Sequence, residues 1–343
     1  MTDITAMGRP AEPDWSSTVT AEELTAFRDA ENRVRASAAA RVITGEPDPG
    51  ATIGWQQVAL PDRDLSDRDL SDRDLPGHDL PGRELPGREL SGREVPVRVY
   101  RPSAAGLLPL VIHVHGGGFV GTAAQSDWIN SHLAAHLPAL VVSVEHRLLD
   151  WETPLSAAAA DGWDVLRHVV EHAAAWGVDA SRVAVFGESC GGLISALAAV
   201  RARREGLSLR AQVLVNPAVD VTSTALSYDS MAQFPQTPSL SLPQLRFFQR
   251  LAVPEGADAR ALSPLYADDL DGLAPALVVV PTHDPLADHG RRYAERLQAA
   301  GTPARLSEYP EAGHAFLSMP GMVPQATPAR AEILAFLRES LGA

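Results

Sequence analysis

Residues 182–203 read RVAVFGESCGGLISALAAVRAR. Val183, Ala184, Val185 and Phe186 make a short apolar run, and from Gly191 the chain turns to Leu and Ala with Arg late. A strand therefore passes into a helix within Gly187-Glu188-Ser189-Cys190-Gly191. Glycines at both ends of that pentapeptide let the strand and the helix approach without a side-chain clash. The sharp turn forces Ser189 into a strained backbone conformation that lifts its hydroxyl toward a ligand. The N–H groups opening the helix face developing negative charge. A glycine-rich turn without chemistry is the competing reading, and the strand before and helix behind favour a nucleophilic serine.

The same texture recurs on both sides of this turn. Residues 95–102, 108–117, 139–147, 210–217, 275–284 and 304–314 each read as a strand running into a loop. Helix-length segments lie between them, at 157–176, 191–205, 290–300 and 328–340. Short runs of Val, Leu and Ile without clean alternation, separated by helices, imply parallel strands covered on both faces. The fold class is a doubly wound α/β sheet. Reactive groups in such sheets gather at the carboxyl ends of the strands, where the polar and glycine clusters of this chain fall.

Composition narrows the chemistry. All 29 basic residues among the 343 are Arg, so a Schiff-base lysine and a phosphate-loop lysine are excluded. The single cysteine, Cys190, can make neither an intrachain disulfide nor a multi-cysteine metal site. A net charge of −14 argues against a nucleic-acid partner. No apolar stretch is long enough to span a membrane, and the acidic N-terminus lacks a signal-like apolar core, so the expected location is cytoplasmic.

Two regions stand apart. Residues 21–43 are strongly helix-forming with Thr20 as cap, within the residues 1–60 that precede the repeat. Residues 61–95 repeat with a period of five, in units such as SDRDL and PGREL, which fits neither helix nor strand. Ten acids and six arginines over 62–94 contribute −4 to the net charge, and the run reads as a flexible surface insertion, with a small stack or partner-binding segment as the alternative. The remainder, 96–343, carries the strands and the serine turn, and within it residues 225–260 mix aromatic groups with Pro and Ser. Aromatic residues there, including Tyr228, Phe234, Phe247 and Phe248, suit a lid over an apolar pocket or simply its anchor, and Phe119 joins them as a substrate-binding candidate.

After the strand at 108–114 comes His115-Gly116-Gly117-Gly118-Phe119, whose glycines present backbone N–H groups with no side chain in front, as a tetrahedral oxyanion requires. This cluster, GESCGG at 187–192, SPLYADDLDGLAPALVVV at 263–280, DPLADHG at 284–290 and GHAF at 313–316 together resemble the hormone-sensitive-lipase-like branch of the α/β hydrolases, the bacterial family IV esterases. The resemblance runs from about Val95 to the C-terminus. It implies an α/β-hydrolase catalytic domain over 96–343, a helical cap made of the N-terminal segment 1–60 and an insertion at about 225–260, and serine-dependent hydrolysis of small carboxylic esters without cofactor or metal. It implies Ser189 as nucleophile, Asp284 as acid and His314 as base, in the chain order Ser, Asp, His. The oxyanion hole would be the N–H groups of Gly117, Gly118 and Cys190.

Rivals for these roles are Asp288 and Asp220 for the acid, and His113, His146 and His283 for the base. Each lacks either the position directly after its strand or the Gly-His setting. His115 reads as a shaper of the glycine loop, while Glu188 and Glu145 read as supports or as solvated groups. The chain departs from the family pattern at Cys190, where a smaller residue is usual, and at His146, where Tyr is common. Arylformamidase-type amide hydrolysis and a ligand-binding protein without turnover are the alternatives, and a homodimer is left open.

Overall fold

The computed structural model describes residues 11–60 and 92–343. Eight strands form one sheet: β1 (Ala51–Leu60), β2 (Arg93–Pro102), β3 (Leu108–Val114), β4 (Leu140–Val144), β5 (Val178–Glu188), β6 (Ala211–Val215), β7 (Ala276–His283) and β8 (Ala304–Gly313). Their order across the sheet is β1-β2-β4-β3-β5-β6-β7-β8. Only β2 runs against the rest, pairing antiparallel with β1 and β4. From β4 to β8 every pairing is parallel, as the uninterrupted apolar strands require. The central strands β3, β4 and β6 are buried along their whole length.

Helices cover both faces: α1 (Ala21–Arg35), α2 (Asp127–His136), α3 (Leu155–Glu171), α4 (Cys190–Arg204), α5 (Leu242–Ala252), α6 (Ala287–Ala299) and α7 (Ala326–Leu341). One apolar cluster lies between the sheet, α3 and α4, and another holds α7 and α2 against the opposite face. Among the described residues no helix is long and apolar enough to cross a membrane.

The helix expected over 21–43 is interrupted. Thr20 caps α1 in a capping box with Glu23. The helix ends at Arg35, and Ser37 takes an extended conformation while its hydroxyl accepts from the Ala40 N–H. A serine that can bond its own backbone competes with helix continuation, which is why the chain turns there. Nor is the first sixty residues' segment wholly helical, because its end is β1. That strand is mostly exposed along its length, so ATIGWQQVAL carries no apolar run to announce it.

Two segments remote in sequence pack on one another. Trp15 packs against Phe27 of α1 at 5.3 Å between ring centroids, and against Phe247 and Phe248 of α5 at 5.1 and 5.7 Å. Burying each such ring contributes about 1.5–3 kcal/mol, more than a single hydrogen bond at about 1 kcal/mol. Hydrogen bonds then orient what the rings hold. Arg28 donates from Nε to the Phe119 carbonyl (3.1 Å), and Asn32 donates to the Val120 carbonyl (3.0 Å).

The pentapeptide repeat falls mostly on residues 61–91, outside the described residues, and β2 begins at Arg93, inside the repeat's sequence boundary. Leu60 faces Arg93 across the antiparallel ladder. Replacing residues 61–92 by Asn-Gly, which favours a two-residue hairpin turn, therefore closes β1 onto β2 directly. The shortened chain is expected to fold with its thermal midpoint within about 3 °C of the full chain. Aggregation or a much lower midpoint in calorimetry would show that the repeat supports the core.

Candidate active site

Ser189 sits between the end of β5 and the start of α4 with φ 56° and ψ −119°, a strained conformation for a residue with a side chain. The turn closes only because glycine flanks it. A Cβ on Gly187 would lie 2.1 Å from the Gly191 carbonyl oxygen, and one on Gly191 would lie 2.1 Å from that of Val114. The Ser189 N–H donates to the Val215 carbonyl of β6 (2.9 Å), which pins the elbow to the neighbouring strand.

Asp284 directly follows β7 and His314 directly follows β8, so three strand ends bring the three groups into line. Ser189 Oγ lies 2.9 Å from His314 Nε2, and His314 Nδ1 lies 2.8 Å from Asp284 Oδ2. The other Asp284 oxygen accepts the Leu286 N–H at 2.8 Å, so the carboxylate cannot rotate freely. All three residues are buried. With Nδ1–H donating to Asp284, the Nε2 lone pair is left for the serine proton.

The rival residues are engaged elsewhere. Asp288 accepts from the Ser230 N–H and Arg291. Asp220 accepts from the hydroxyls of Tyr228 (2.5 Å) and Tyr266 (3.1 Å). His113 bonds Ser143, His146 donates to the Arg147 carbonyl, and His283 stacks on Phe234. Burial pushes His113 down to about 3 and holds His115 well below the ordinary imidazole value. Neutral His115 stacks on His146 and donates from Nδ1 to the Gly116 carbonyl (2.9 Å), so it shapes the glycine loop.

That loop has positive φ at Gly117 (98°), Gly118 (60°) and Phe119 (56°), and a Cβ on Gly116 would lie 2.8 Å from the Glu188 carbonyl oxygen. The loop thus rests on the elbow itself. Glu188 accepts from Ser318 Oγ at 2.6 Å, tying the elbow to the segment after His314, and burial raises its pKa. Glu145 accepts the Ala123 N–H at 2.8 Å, and burial pushes it up to about 7. Both carboxyl groups support loops around the site.

A largely apolar cavity of about 160 Å³ opens over Ser189 and His314, walled by Gly117 and Gly118, by Phe27 and Ile43 of the N-terminal segment, and by Leu240 and Met319. A second, of about 70 Å³, is lined by Phe119, Cys190, Met231 and Phe248. Of the four expected substrate-binding residues, only Phe119 lines either cavity. Tyr228 is turned away because Asp220 holds its hydroxyl, Phe234 lies on His283, and Phe247 is core against Trp15 and Phe248. The sequence points to an N-terminal helical cap but does not single out Phe27 as part of its wall, since Phe27 carries the spacing of an ordinary helix core residue.

A strained serine, an imidazole and a carboxylate aligned at the strand ends of an α/β sheet, beside a glycine loop, define a hydrolase of the α/β class. Residues 111–318 match the family model described as alpha/beta hydrolase fold. The chain is 39% identical over 259 residues to a carboxylesterase NlhH of Mycobacterium tuberculosis, covering 73% of this chain and 79% of that protein. It is 32% identical over 258 residues to an ethyl acetate hydrolase of Pseudomonas putida, covering 72% and 79%. A hyperthermophilic esterase from the archaeon Pyrobaculum calidifontis superposes with a TM-score of 0.75 at 29% identity, over 92% of this chain and 93% of that one. The chain belongs to the α/β hydrolases, in their hormone-sensitive-lipase-like branch.

Cys190 follows the serine, and its thiol is buried, with Sγ 4.0 Å from the His115 carbonyl. Burial pushes the thiol up to about 11. At pH 8 only about one molecule in a thousand then carries the reactive thiolate. Iodoacetamide is expected to leave the folded chain unmodified over an hour and to add one equivalent in urea, read by intact mass. Rapid labelling of the folded chain would place the thiol in solvent.

Proposed function

We propose that this carboxylic-ester hydrolase acts on small esters with short to medium acyl groups, through an acyl-enzyme on Ser189. The observation that carries the assignment of roles is the unbroken line Ser189 Oγ–His314 Nε2 (2.9 Å) and His314 Nδ1–Asp284 Oδ2 (2.8 Å). Nε2 takes the serine proton as Oγ attacks the ester carbonyl carbon. The tetrahedral oxyanion is held by the N–H groups of Gly117, Gly118 and Cys190, each such donor contributing roughly a hundredfold or more to turnover. His314 returns the proton to the departing alkoxide, and the alcohol leaves. Water then attacks the acyl carbon with His314 again as base, and the acid is released from a regenerated Ser189. Asp284 keeps the imidazole in its working tautomer and stabilises the imidazolium.

The walls over Ser189 support the acyl range. The cavity of about 160 Å³ is closed on one side by the cap, so a short chain fits and a long one meets Phe27 and Leu240. A cytoplasmic location belongs to the same reading, supported by the single buried cysteine.

The test is the hydrolysis of p-nitrophenyl acetate, butyrate and decanoate, with formyl-anilides alongside to measure amide hydrolysis. Acetate and butyrate are expected to be the better substrates, and Ser189→Ala or His314→Ala to lower kcat by at least about 10⁴-fold. Undiminished turnover in Ser189→Ala would sink the assignment. Faster cleavage of formyl-anilides would move the substrate class to amides.

A further inference from the structure

Asp48, His132 and His136 gather one carboxylate oxygen and two imidazole nitrogens where the N-terminal segment joins the sheet, and none of them lines the cavity over Ser189. His132 and His136 lie four residues apart on α2 and so share one face of it, with ring centroids 4.2 Å apart. Asp48 belongs to the segment leading from the cap into β1. Its Oδ2 stands 3.3 Å from His132 Nδ1 and 2.8 Å from His136 Nε2, and all three atoms lie within 4.8 Å of one another. Zinc holds nitrogen and oxygen at about 2.0–2.2 Å, which sets tetrahedral ligand atoms roughly 3.3 Å apart. Two of the three spacings here are already within about 0.5 Å of that value.

The carboxylate is oriented from behind. The Asp48 N–H donates to Ser131 Oγ at 2.7 Å, and its Oδ1 accepts the Gly50 N–H at 2.9 Å, leaving Oδ2 facing the imidazoles. Supports of this kind aim a metal-binding carboxylate. His136 is half exposed, so the site opens to solvent on one side. His168 and His172 make a second pair four residues apart with rings 4.2 Å apart, yet among the described residues no third ligand joins them.

We propose that Asp48, His132 and His136 bind one divalent transition-metal ion of the zinc type, which ties the root of the N-terminal cap to α2. Two imidazoles with one carboxylate favour zinc, nickel or copper over magnesium or calcium. Three protein ligands leave room for water at the fourth position. The ion would act on the cap's attachment and take no part in the ester chemistry.

The experiment titrates untagged, chelator-treated full-length chain with zinc chloride and, separately, nickel chloride near neutral pH, by calorimetry and thermal unfolding. One saturable equivalent is expected, with the midpoint raised by several degrees at saturation. Asp48→Asn and His136→Ala are each expected to weaken binding at least about tenfold. His136→Gln, which keeps a polar side chain at this half-exposed position, is expected to do the same, while His172→Ala leaves affinity unchanged. The metal-free variants keep the parent's ester-hydrolysis rate, which separates this site from the catalytic one. Absence of saturable binding, or an affinity in Asp48→Asn and His136→Ala equal to that of the parent chain, overturns the proposal.

Discussion

The catalytic end of the sheet depends on how closely three backbones approach one another: the end of β5, the first turn of α4 and the loop after β3. At Gly191 the approach leaves no room for a methyl group, since a Cβ would stand 2.1 Å from the Val114 carbonyl oxygen, and Gly116 meets Glu188 from the other side. This contact sets the height of Ser189 above the sheet and lays the glycine loop beside it. The strained backbone of Ser189 costs about 1–3 kcal/mol. Burial of α4 along its length, including Leu193 and Ile194, offsets it.

The cap then acts on that loop through hydrogen bonds. Arg28 and Asn32 on α1 hold the carbonyls of Phe119 and Val120, which ties the helix to the loop. Those bonds engage the loop's carbonyl oxygens and none of its N–H groups. Trp15 couples α1 to α5 through a ring cluster, so two segments more than two hundred residues apart behave as one lid. Ser189 and His314 thus lie at the strand ends, under a cavity that Phe27 of α1 and Leu240 before α5 help to wall.

Legibility in the sequence followed the range of the forces. The parallel strands β3 to β8, the elbow and the order Ser189, Asp284, His314 could be read because each is a local pattern: an apolar run, a glycine pair, a polar residue directly behind a strand. β1 was not read, because a mostly exposed strand pairing with β2 needs few apolar residues. The break at Ser37 is not legible either, because helix propensity summed over residues 21–43 outweighs one hydroxyl that competes for its own backbone.

Tyr228, Phe234 and Phe247 mark the boundary most clearly. An aromatic residue in a lid segment has the same local signature whether it faces a substrate or a neighbour, and here Asp220, His283 and Trp15 claim the three rings. By itself the sequence determined the sheet, the strained serine and the family of chemistry, since those rest on contacts between near neighbours and on backbone geometry that only glycine permits. The tertiary structure alone decided which side chains wall the cavity and where Asp48 meets His132 and His136. Those arrangements arise where distant segments pack together, and no spacing along the chain encodes the distance between them.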